Sequence, residues 1–180
     1  MVKALGKLYH LADKTDQGRA LPGTCGIGHT RWATHGDPSL MNAHPHVSGN
    51  CTGSGSGPVE CDVVGVHNGI IENFAELKEK LLRHNYAFYS ETDTEVAVKL
   101  VDYYYKKYKI GPVDAITRTM VRVRGSYALA LMFKDFPGEI FVARKDSPLV
   151  IGTAEEESFL ASDVPMIRGE SFRAAKISPG

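Results

Sequence analysis

The 180-residue sequence predicts an α+β domain in which helices pack on antiparallel sheets. An apolar strand at residues 62–67 comes before the helices, and three stretches between residues 73 and 121 repeat apolar residues with helical spacing. Short strand-like runs separated by turns follow Gly125. Because the length suits one domain and no internal repeat is visible, we expect a single domain over residues 1–180.

The first third of the chain has the weaker secondary-structure signals. Residues 1–8 alternate well enough for a short strand, and residues 12–23 are expected to form a loop. A second strand is expected over Ile27–Thr34, before a Gly- and Pro-containing turn. Residues 48–61 are rich in glycine and serine and carry little to bury, so a loop or linker is expected there.

Three helices are predicted in the middle of the chain. Two of them begin with capping-box spacing, and these pairs are Asn73 with Glu76 and Thr92 with Glu95. The first helix is expected to end at Asn85, a residue that tolerates a left-handed backbone. The third begins with Pro112 and runs to about Val121, whose side chain is expected to face inward. The four predicted strands that follow are SYALALMF, EIFVAR, PLVIG and SFLAS.

Composition excludes several classes of protein. The 21 lysines and arginines equal the 21 aspartates and glutamates, so no net charge attracts nucleic acid or an anionic membrane. No apolar run approaches the roughly 20 residues of a membrane-spanning helix, and the N-terminal residues do not resemble a secretory signal. The three cysteines are odd in number and lack metal-ligand spacing, which favours a reducing, cytoplasmic location.

The segment GHTRWATHG, Gly28–Gly36, places large polar side chains among small residues. A guanidinium binds carboxylate or phosphate with two hydrogen bonds, and small neighbours leave room for a ligand. Arg31 is therefore a candidate anion anchor, with Thr34 and His35 as further hydrogen-bonding groups. A structural ion pair between Arg31 and one of the acidic residues is the alternative.

Five of the seven histidines lie between residues 29 and 67. His44 and His46 are spaced to present two imidazoles to one metal ion, but no carboxylate or cysteine lies at ligand spacing nearby. We therefore favour histidines that make hydrogen bonds in a polar cleft and expect no metal.

Two further positions allow either a structural or a chemical role. Asn68 and Gly69 end an apolar strand, where an amide and a glycine N–H could hold an oxyanion, but a plain Asn-Gly turn explains them equally simply. Asp93 stands at the start of a predicted helix, where the helix dipole alone favours an acid. A second role for Asp93, as partner of a substrate ammonium, is compatible with this position.

Several segments, in this order, resemble the glutaminase domain of the glutamine–fructose-6-phosphate aminotransferases, class II glutamine amidotransferases of the glucosamine-6-phosphate synthase family. They are GIGHTRWATHGDPSLMNAHPH, VVGVHNGIIENFAELKEKL, YSETDTEV, VRGSYALALMF and ARKDSPLVIG. The resemblance covers roughly residues 1–168 and implies an N-terminal nucleophile hydrolase fold, an αββα sandwich of two antiparallel sheets. It also implies amino-sugar synthesis, in which ammonia from glutamine passes to fructose 6-phosphate on a sugar-phosphate isomerase domain. No cofactor is implied for the glutaminase step.

The resemblance also implies roles for individual residues. Arg31 would bind the α-carboxylate of glutamine, and Asp93 its α-ammonium. Asn68 and the N–H of Gly69 would form the oxyanion hole. The other implied site residues are Thr34 and His35 beside the carboxylate, Trp32 over the ammonia path, and His44 and His67 along the pocket wall.

The nucleophile is where these 180 residues depart from the family pattern. Family members begin with a cysteine whose thiol attacks the glutamine amide and whose α-amine acts as the base. The present sequence begins at Met1, so we expect it to lack that cysteine with its strand and helix, and to be inactive alone. Cys25 also precedes Gly-Ile, but it is internal and is expected to be a small buried thiol. The alternatives are a non-catalytic glutamine-binding module and a homo-oligomer that covers exposed sheet edges.

Overall fold

A computed structural model describes residues 1–31, 36–49 and 61–163 of the chain, together with the backbone of residues 173–176. These residues form four helices and seven strands. The helices are α1 (Leu8–Lys14), α2 (Phe74–Leu82), α3 (Asp93–Tyr108) and α4 (Pro112–Met120). The strands are β1 (His46–Ser48), β2 (Val63–Ile71), β3 (Gly125–Phe133), β4 (Phe141–Lys145), β5 (Val150–Thr153), β6 (Ser158–Ala161) and β7 (Arg173–Lys176).

The described strands form two antiparallel sheets. The first has the order β1-β2-β3-β4 and the second the order β6-β5-β7. Strands β2 and β3 pair without interruption from Val63 opposite Phe133 to Ile71 opposite Gly125. All of α2, α3 and α4 lie in the connection between these two neighbouring strands. The chain therefore leaves the sheet after β2, forms the three helices and enters the same sheet again at β3.

Helix α3 forms the centre of the core. It contacts β1, β2, α2 and α4, and its residues from Asp93 to Tyr104 are all buried. The core joins apolar side chains of α3 to Val63 and Ile71 of β2. A side chain in place of Gly65 would overlap Val98 of α3 and Leu131 of β3, so this glycine allows the helix to approach the sheet closely.

The two faces of β2 have different environments. Successive side chains of a strand point to opposite faces of its sheet. Since Val63 and Ile71 lie in the core beside the helices, His67 lies on this helix face and Asn68 on the opposite face. Strand β2 thereby presents His67 to the start of α3, where it contacts Thr94, and Asn68 to the other face of the sheet.

Most of the predicted elements are confirmed. Helices α2, α3 and α4 and strands β3 to β6 coincide with predicted segments to within a few residues. The predicted cap of α3 is present, since the Thr92 hydroxyl accepts the backbone N–H of Glu95. Asn85 has the expected positive φ, at 64°. Among the described residues, no helix combines the length and the apolar character needed to span a bilayer.

In the described residues of the N-terminal third, both strand predictions are wrong and the loop predicted at 12–23 is confirmed only after α1. Residues 1–8 form no strand, and α1 occupies Leu8–Lys14, partly inside the predicted loop at 12–23. This helix has only seven residues, less than two full turns, which is too short for a helical repeat to be recognised in the sequence. The described part of the predicted strand at Ile27–Thr34, residues 27–31, is not a strand. Most of the predicted loop at 48–61 lies outside the described residues.

Three local predictions are also corrected. Strand β2 continues to Ile71, so Asn68 and Gly69 lie within a strand rather than in a turn. Val121 follows the end of α4 and is 77% exposed, so its side chain does not face inward. Asn73 makes no side-chain cap. Its amide instead bonds the backbone of Arg122 and Arg124, which joins the start of α2 to the segment after α4.

Candidate functional site

A cavity of about 930 Å³ is lined by strands of both sheets, by residues 26–31 and by the start of α3. Six of the predicted site residues line it together, although they come from four separate parts of the chain. They are Arg31, His44, His67, Asn68, Gly69 and Asp93. The other three predicted site residues, Trp32, Thr34 and His35, lie outside the described residues.

Asp93 is placed at the cavity by the first turn of α3. The residue is 3% exposed, and its Oδ2 accepts the backbone N–H of Ile71 at 2.9 Å. The same oxygen lies 3.8 Å from Nδ1 of His67. The N-terminal end of a helix favours a negative charge, so α3 supplies an anionic group to the cavity wall.

Arg31 contributes the opposite charge. It is half-buried, and its Nη2 donates to the carbonyl oxygen of Gly36 at 2.9 Å. This bond fixes one edge of the guanidinium, which has five N–H donors in total. The cavity therefore has a cationic residue and an anionic residue in its lining, a pattern that suits a zwitterionic ligand.

Thr94 connects two of the histidines. Its Oγ1 lies 3.0 Å from Nε2 of His44 and 3.3 Å from Nδ1 of His67. The rings of His29 and His44 are 4.3 Å apart between centroids, and among the described residues neither Nδ1 of this pair has a hydrogen-bond partner. Burial lowers the pKa of His29 and of His44, with neighbouring imidazoles and Arg31 adding to the effect, so both rings are uncharged at neutral pH.

Both ring nitrogens of His46 make hydrogen bonds within the protein. Its Nδ1 lies 3.1 Å from the hydroxyl of Tyr89 and its Nε2 3.0 Å from the hydroxyl of Thr92. Burial lowers the pKa of His46 to about 3, with the charge of Lys3 acting in the same direction. Both ring nitrogens are engaged, so His46 is not available as a metal ligand. The part of the chain that the structure describes contains no group of three or more His, Cys, Asp or Glu placed to hold a metal ion.

The backbone at Gly69 can be formed only by glycine. Its φ is +140°, and a Cβ there would overlap the carbonyl oxygen of Ser126 on β3. Asn68 and Gly69 are both partly exposed where they line the cavity. An amide side chain and an accessible strand backbone thus lie next to each other at the cavity wall.

Sequence reasoning missed part of the cavity lining. Thr94 lines the cavity but was not predicted as a site residue. Its position directly after Asp93, in the capped start of α3, is a signal that could have indicated it. The residues of β6, Ser158–Ala161, carry only a strand pattern and no sign that they face β2 across a cavity. Contacts between separate sheets leave no local signal in a sequence.

Comparison with known proteins identifies similar sequences. The sequence profile of the glutamine amidotransferase domain family matches residues 52–169. A glutamine–fructose-6-phosphate aminotransferase [isomerizing] of Pyrococcus horikoshii is 46% identical over 99% of this chain, which covers 28% of that protein. Proteins of the same name from Clostridium tetani and Methanosarcina acetivorans are 44% and 47% identical over 92% and 90% of this chain, which covers 25% and 26% of them. The chain thus spans about a quarter of the length of these relatives, and the resemblance seen in its motifs is confirmed.

Solved structures support the fold. The glutamine phosphoribosylpyrophosphate amidotransferase of B. subtilis, complexed with ADP and GMP, matches with a TM-score of 0.58 at 21% identity, over 84% of this chain and 34% of that one. A structure described as the allosteric regulatory enzyme of purine biosynthesis matches with a TM-score of 0.59 at 22% identity, over 84% and 35% of the two chains. The predicted fold class, an N-terminal nucleophile hydrolase-like sandwich of antiparallel sheets, is confirmed.

Proposed function

This chain belongs to the glutamine amidotransferase domain family. On that premise we propose that its cavity of about 930 Å³ binds free glutamine. The observation that carries the proposal is the presence of Arg31, Asn68, Gly69 and Asp93 in the lining of one cavity. Free glutamine has a carboxylate and an ammonium on one carbon and an uncharged amide at the far end. The cavity has complementary groups for all three.

Recognition of the amino-acid end rests on the two charged residues. The guanidinium of Arg31 binds the α-carboxylate, for which a fork of donors is the best partner. The carboxylate of Asp93 binds the α-ammonium from the start of α3. In the proposed site, Thr34 and His35 add hydrogen bonds to the carboxylate, and Trp32 covers the bound ligand and the path of ammonia.

The amide end is placed at Asn68 and Gly69. The side-chain amide of Asn68 and the N–H of Gly69 donate to the oxygen of the tetrahedral intermediate, which carries a negative charge. His44 and His67 brace this part of the wall through Thr94. Their role is positional, since burial keeps His44 uncharged by lowering its pKa.

The nucleophile is not among the described cavity residues. Hydrolysis of glutamine in this family pattern needs a cysteine thiol together with its own free α-amine, and Cys25, Cys51 and Cys61 are all internal to the sequence. We therefore assign glutamine binding, without turnover, to a polypeptide of residues 1–180.

The names of its relatives support a proposal for the activity of the whole protein. They are named for amino transfer to fructose 6-phosphate, and this chain spans about a quarter of their length. The chain is then the glutaminase part of such an enzyme, with a sugar-phosphate isomerase domain as the partner that receives ammonia. The reaction would take place in the cytoplasm, where both substrates are metabolites.

Calorimetric titration of the 180-residue chain with glutamine tests the binding site. We expect saturable binding that Arg31→Ala weakens by at least about tenfold, the loss of one charge-assisted contact of about 1.4 kcal/mol. Arg83→Ala is the matched control, since Arg83, which directly follows α2, is exposed, does not line the cavity and is 3.5 Å from the exposed carboxylate of Glu79. Equal glutamine affinity in all three proteins would refute the assignment of Arg31.

A glutaminase assay tests the assignment of turnover. Residues 1–180 are expected to release no glutamate above the uncatalysed rate. Glutamate release that disappears in Cys25→Ala would show that an internal thiol is sufficient and would overturn this part of the proposal.

A further inference from the structure

The two charged residues of the proposed glutamine site come from distant parts of the sequence. Arg31 donates its Nη2 to the carbonyl oxygen of Gly36 at 2.9 Å, so its guanidinium is tied to the segment that begins at Gly36. Asp93 is the first residue of α3. Whatever joins the Gly36 segment to the start of α3 therefore affects the spacing of the two charges.

Asn42 joins these two segments. The residue is buried, and its side-chain amide makes three hydrogen bonds within the described part of the chain. Its Nδ2 donates to the Asp37 carbonyl at 3.0 Å and to Oε2 of Glu91 at 3.2 Å. Its Oδ1 accepts the backbone N–H of Glu91 at 3.0 Å. One bond thus closes the loop that follows Gly36, and the other two attach this loop to the segment before α3.

The Gly36 segment also packs closely against this link. Gly36 has a φ of +74°, and a Cβ at this position would overlap Nδ2 of Asn42 and lie against the side chain of Glu91. The carbonyl that accepts from Arg31 therefore belongs to a residue in direct contact with the Asn42–Glu91 pair. A shift of that pair moves the hydrogen-bond acceptor of Arg31.

The other end of the link is fixed to α3. Thr92 follows Glu91 and caps the helix, because its hydroxyl accepts the backbone N–H of Glu95 at 3.3 Å. Asp93 comes next in the chain and begins the helix. The two bonds between Asn42 and Glu91 therefore act on the segment that places the Asp93 carboxylate.

Asn42 is not among the described residues that line the cavity of about 930 Å³, so any effect on a ligand acts through other residues. We propose that Asn42 is a positioning residue of the glutamine site, which fixes the guanidinium of Arg31 relative to the carboxylate of Asp93. This inference rests on the proposed function. Two charges that are already held at the right spacing lose little conformational freedom when a zwitterion binds, so the link increases the affinity for glutamine.

NMR spectroscopy of the isotope-labelled chain tests the link without any ligand. A hydrogen bond to a guanidinium slows its rotation about the Nε–Cζ bond, and the line shapes of the Nη resonances report this rotation. We expect Asn42→Ala to speed the rotation of Arg31 by at least about threefold, since the acceptor at Gly36 is no longer held in place. Asn73→Ala is the matched control, because the Asn73 amide also bonds the backbone of a separate segment and does not line the cavity.

Two ligands test whether the link serves binding. Glutamine contains the carboxylate that Arg31 is proposed to bind, whereas γ-aminobutyramide is glutamine without that carboxylate. In NMR titrations, we expect Asn42→Ala to weaken glutamine binding by at least about threefold and to leave γ-aminobutyramide binding unchanged. A general structural defect would weaken both ligands equally. Asn73→Ala should change neither affinity.

The outcomes separate the positioning role from glutamine binding itself. Faster rotation of Arg31 in Asn42→Ala, with a selective loss of glutamine affinity, supports the positioning role. Unchanged rotation overturns it, as does unchanged glutamine affinity or equal weakening of the two ligands. In these cases the unmodified chain still binds glutamine. An unmodified chain that binds no glutamine rejects the proposed function, and with it the role of Asn42.

A milder variant covers the case in which Asn42→Ala does not fold. Glu91→Ala removes the bond from Nδ2 of Asn42 to the Glu91 carboxylate but retains the bond to the Glu91 backbone. The same changes in rotation and affinity are expected, and their absence overturns the proposal. If γ-aminobutyramide binds too weakly to be measured, the rotation of Arg31 and the affinity for glutamine decide the outcome.

Discussion

The carboxylate of Asp93 accepts the backbone N–H of Ile71 at 2.9 Å. This bond joins the first turn of α3 to the end of β2, the strand that carries Asn68 and Gly69. The proposed partner of the substrate ammonium and the proposed oxyanion hole are thereby held in a fixed relation. Asp93 has a structural role as well as its proposed role in binding, and the two can be separated by substitution.

Asp93→Asn keeps an oxygen that can accept from Ile71 but removes the negative charge. We expect a stability loss of no more than about 1 kcal/mol, because the hydrogen bond to Ile71 is retained, and a fall in glutamine affinity of at least about tenfold. Thermal unfolding and calorimetric titration measure the two effects. Asp114→Asn, in the exposed first turn of α4, is the matched control. Undiminished glutamine affinity in Asp93→Asn would reject the ammonium role.

Thr94→Val retains the shape of the side chain and removes the hydroxyl that contacts His44 and His67. Each imidazole then loses a hydrogen bond inside the protein, so we expect a loss of about 1–3 kcal/mol in the free energy of unfolding, measured in urea. Thr117→Val is the control, because the Thr117 hydroxyl bonds only its own helix at an exposed position. A Thr94→Val protein as stable as the control would show that the bridge contributes nothing.

Gly69→Ala is expected to destabilise the chain strongly. The positive φ is unfavourable for alanine, and the added Cβ would overlap the Ser126 carbonyl, which forces β2 away from β3. We expect a loss of about 2–4 kcal/mol. Gly111→Ala is the control, since a Cβ at Gly111 would contact nothing within 4 Å. Similar melting temperatures for the two variants would contradict the described backbone.

Acid is expected to destabilise the fold through its buried histidines. Burial lowers the pKa of His46 from 6.5 to about 3, so between these values the unfolded chain binds a proton that the folded chain does not. The free energy of unfolding is then constant above about pH 6.5 and falls as the pH drops toward 3. Each such histidine contributes up to about 1.4 kcal/mol per pH unit. The pKa values of His29 and His44 are also lowered, so they act in the same direction.

Urea unfolding over this pH range measures the effect. His46→Gln should reduce the slope of stability against pH by about one proton, although its stability at neutral pH is lower. Thr117→Val, which removes no titratable group, should leave the slope as it is. If acidification affected His46→Gln and the unmodified chain equally, His46 would not be the source of the acid sensitivity.

The sequence predicted the parts of the fold that have a strong repeat. Helix α3 has a capped start and a long apolar stripe, and β3 is a continuous apolar run, so both were identified. Helix α1 was not, because its seven residues make less than two full turns, too few to establish a helical repeat. Strand β2 was cut short at Asn68, because an Asn-Gly pair is also a common turn signal and only pairing with β3 decides between the two.

The candidate site was predicted from residue types and motifs rather than from geometry. A guanidinium among small residues made Arg31 a candidate anion anchor, and the family resemblance added Asp93 as the partner of an ammonium; both line the cavity of about 930 Å³. The Thr94 bridge and the β6 wall depend on tertiary packing, which is why no local pattern indicated them.

The uninterrupted pairing of β2 with β3 limits where this domain can change in length. An insertion of one residue in β2 before His67 would exchange the faces of the residues that follow it, turning Asn68 toward the helices and His67 away from α3. Insertions in the helical connection between Ile71 and Gly125 leave that alternation intact, because this segment only has to return to the neighbouring strand. Related domains should therefore differ in length around α2 and α4 while keeping the same number of residues in the paired strands β2 and β3. The helical connection is also the best place to insert an engineered tag or domain.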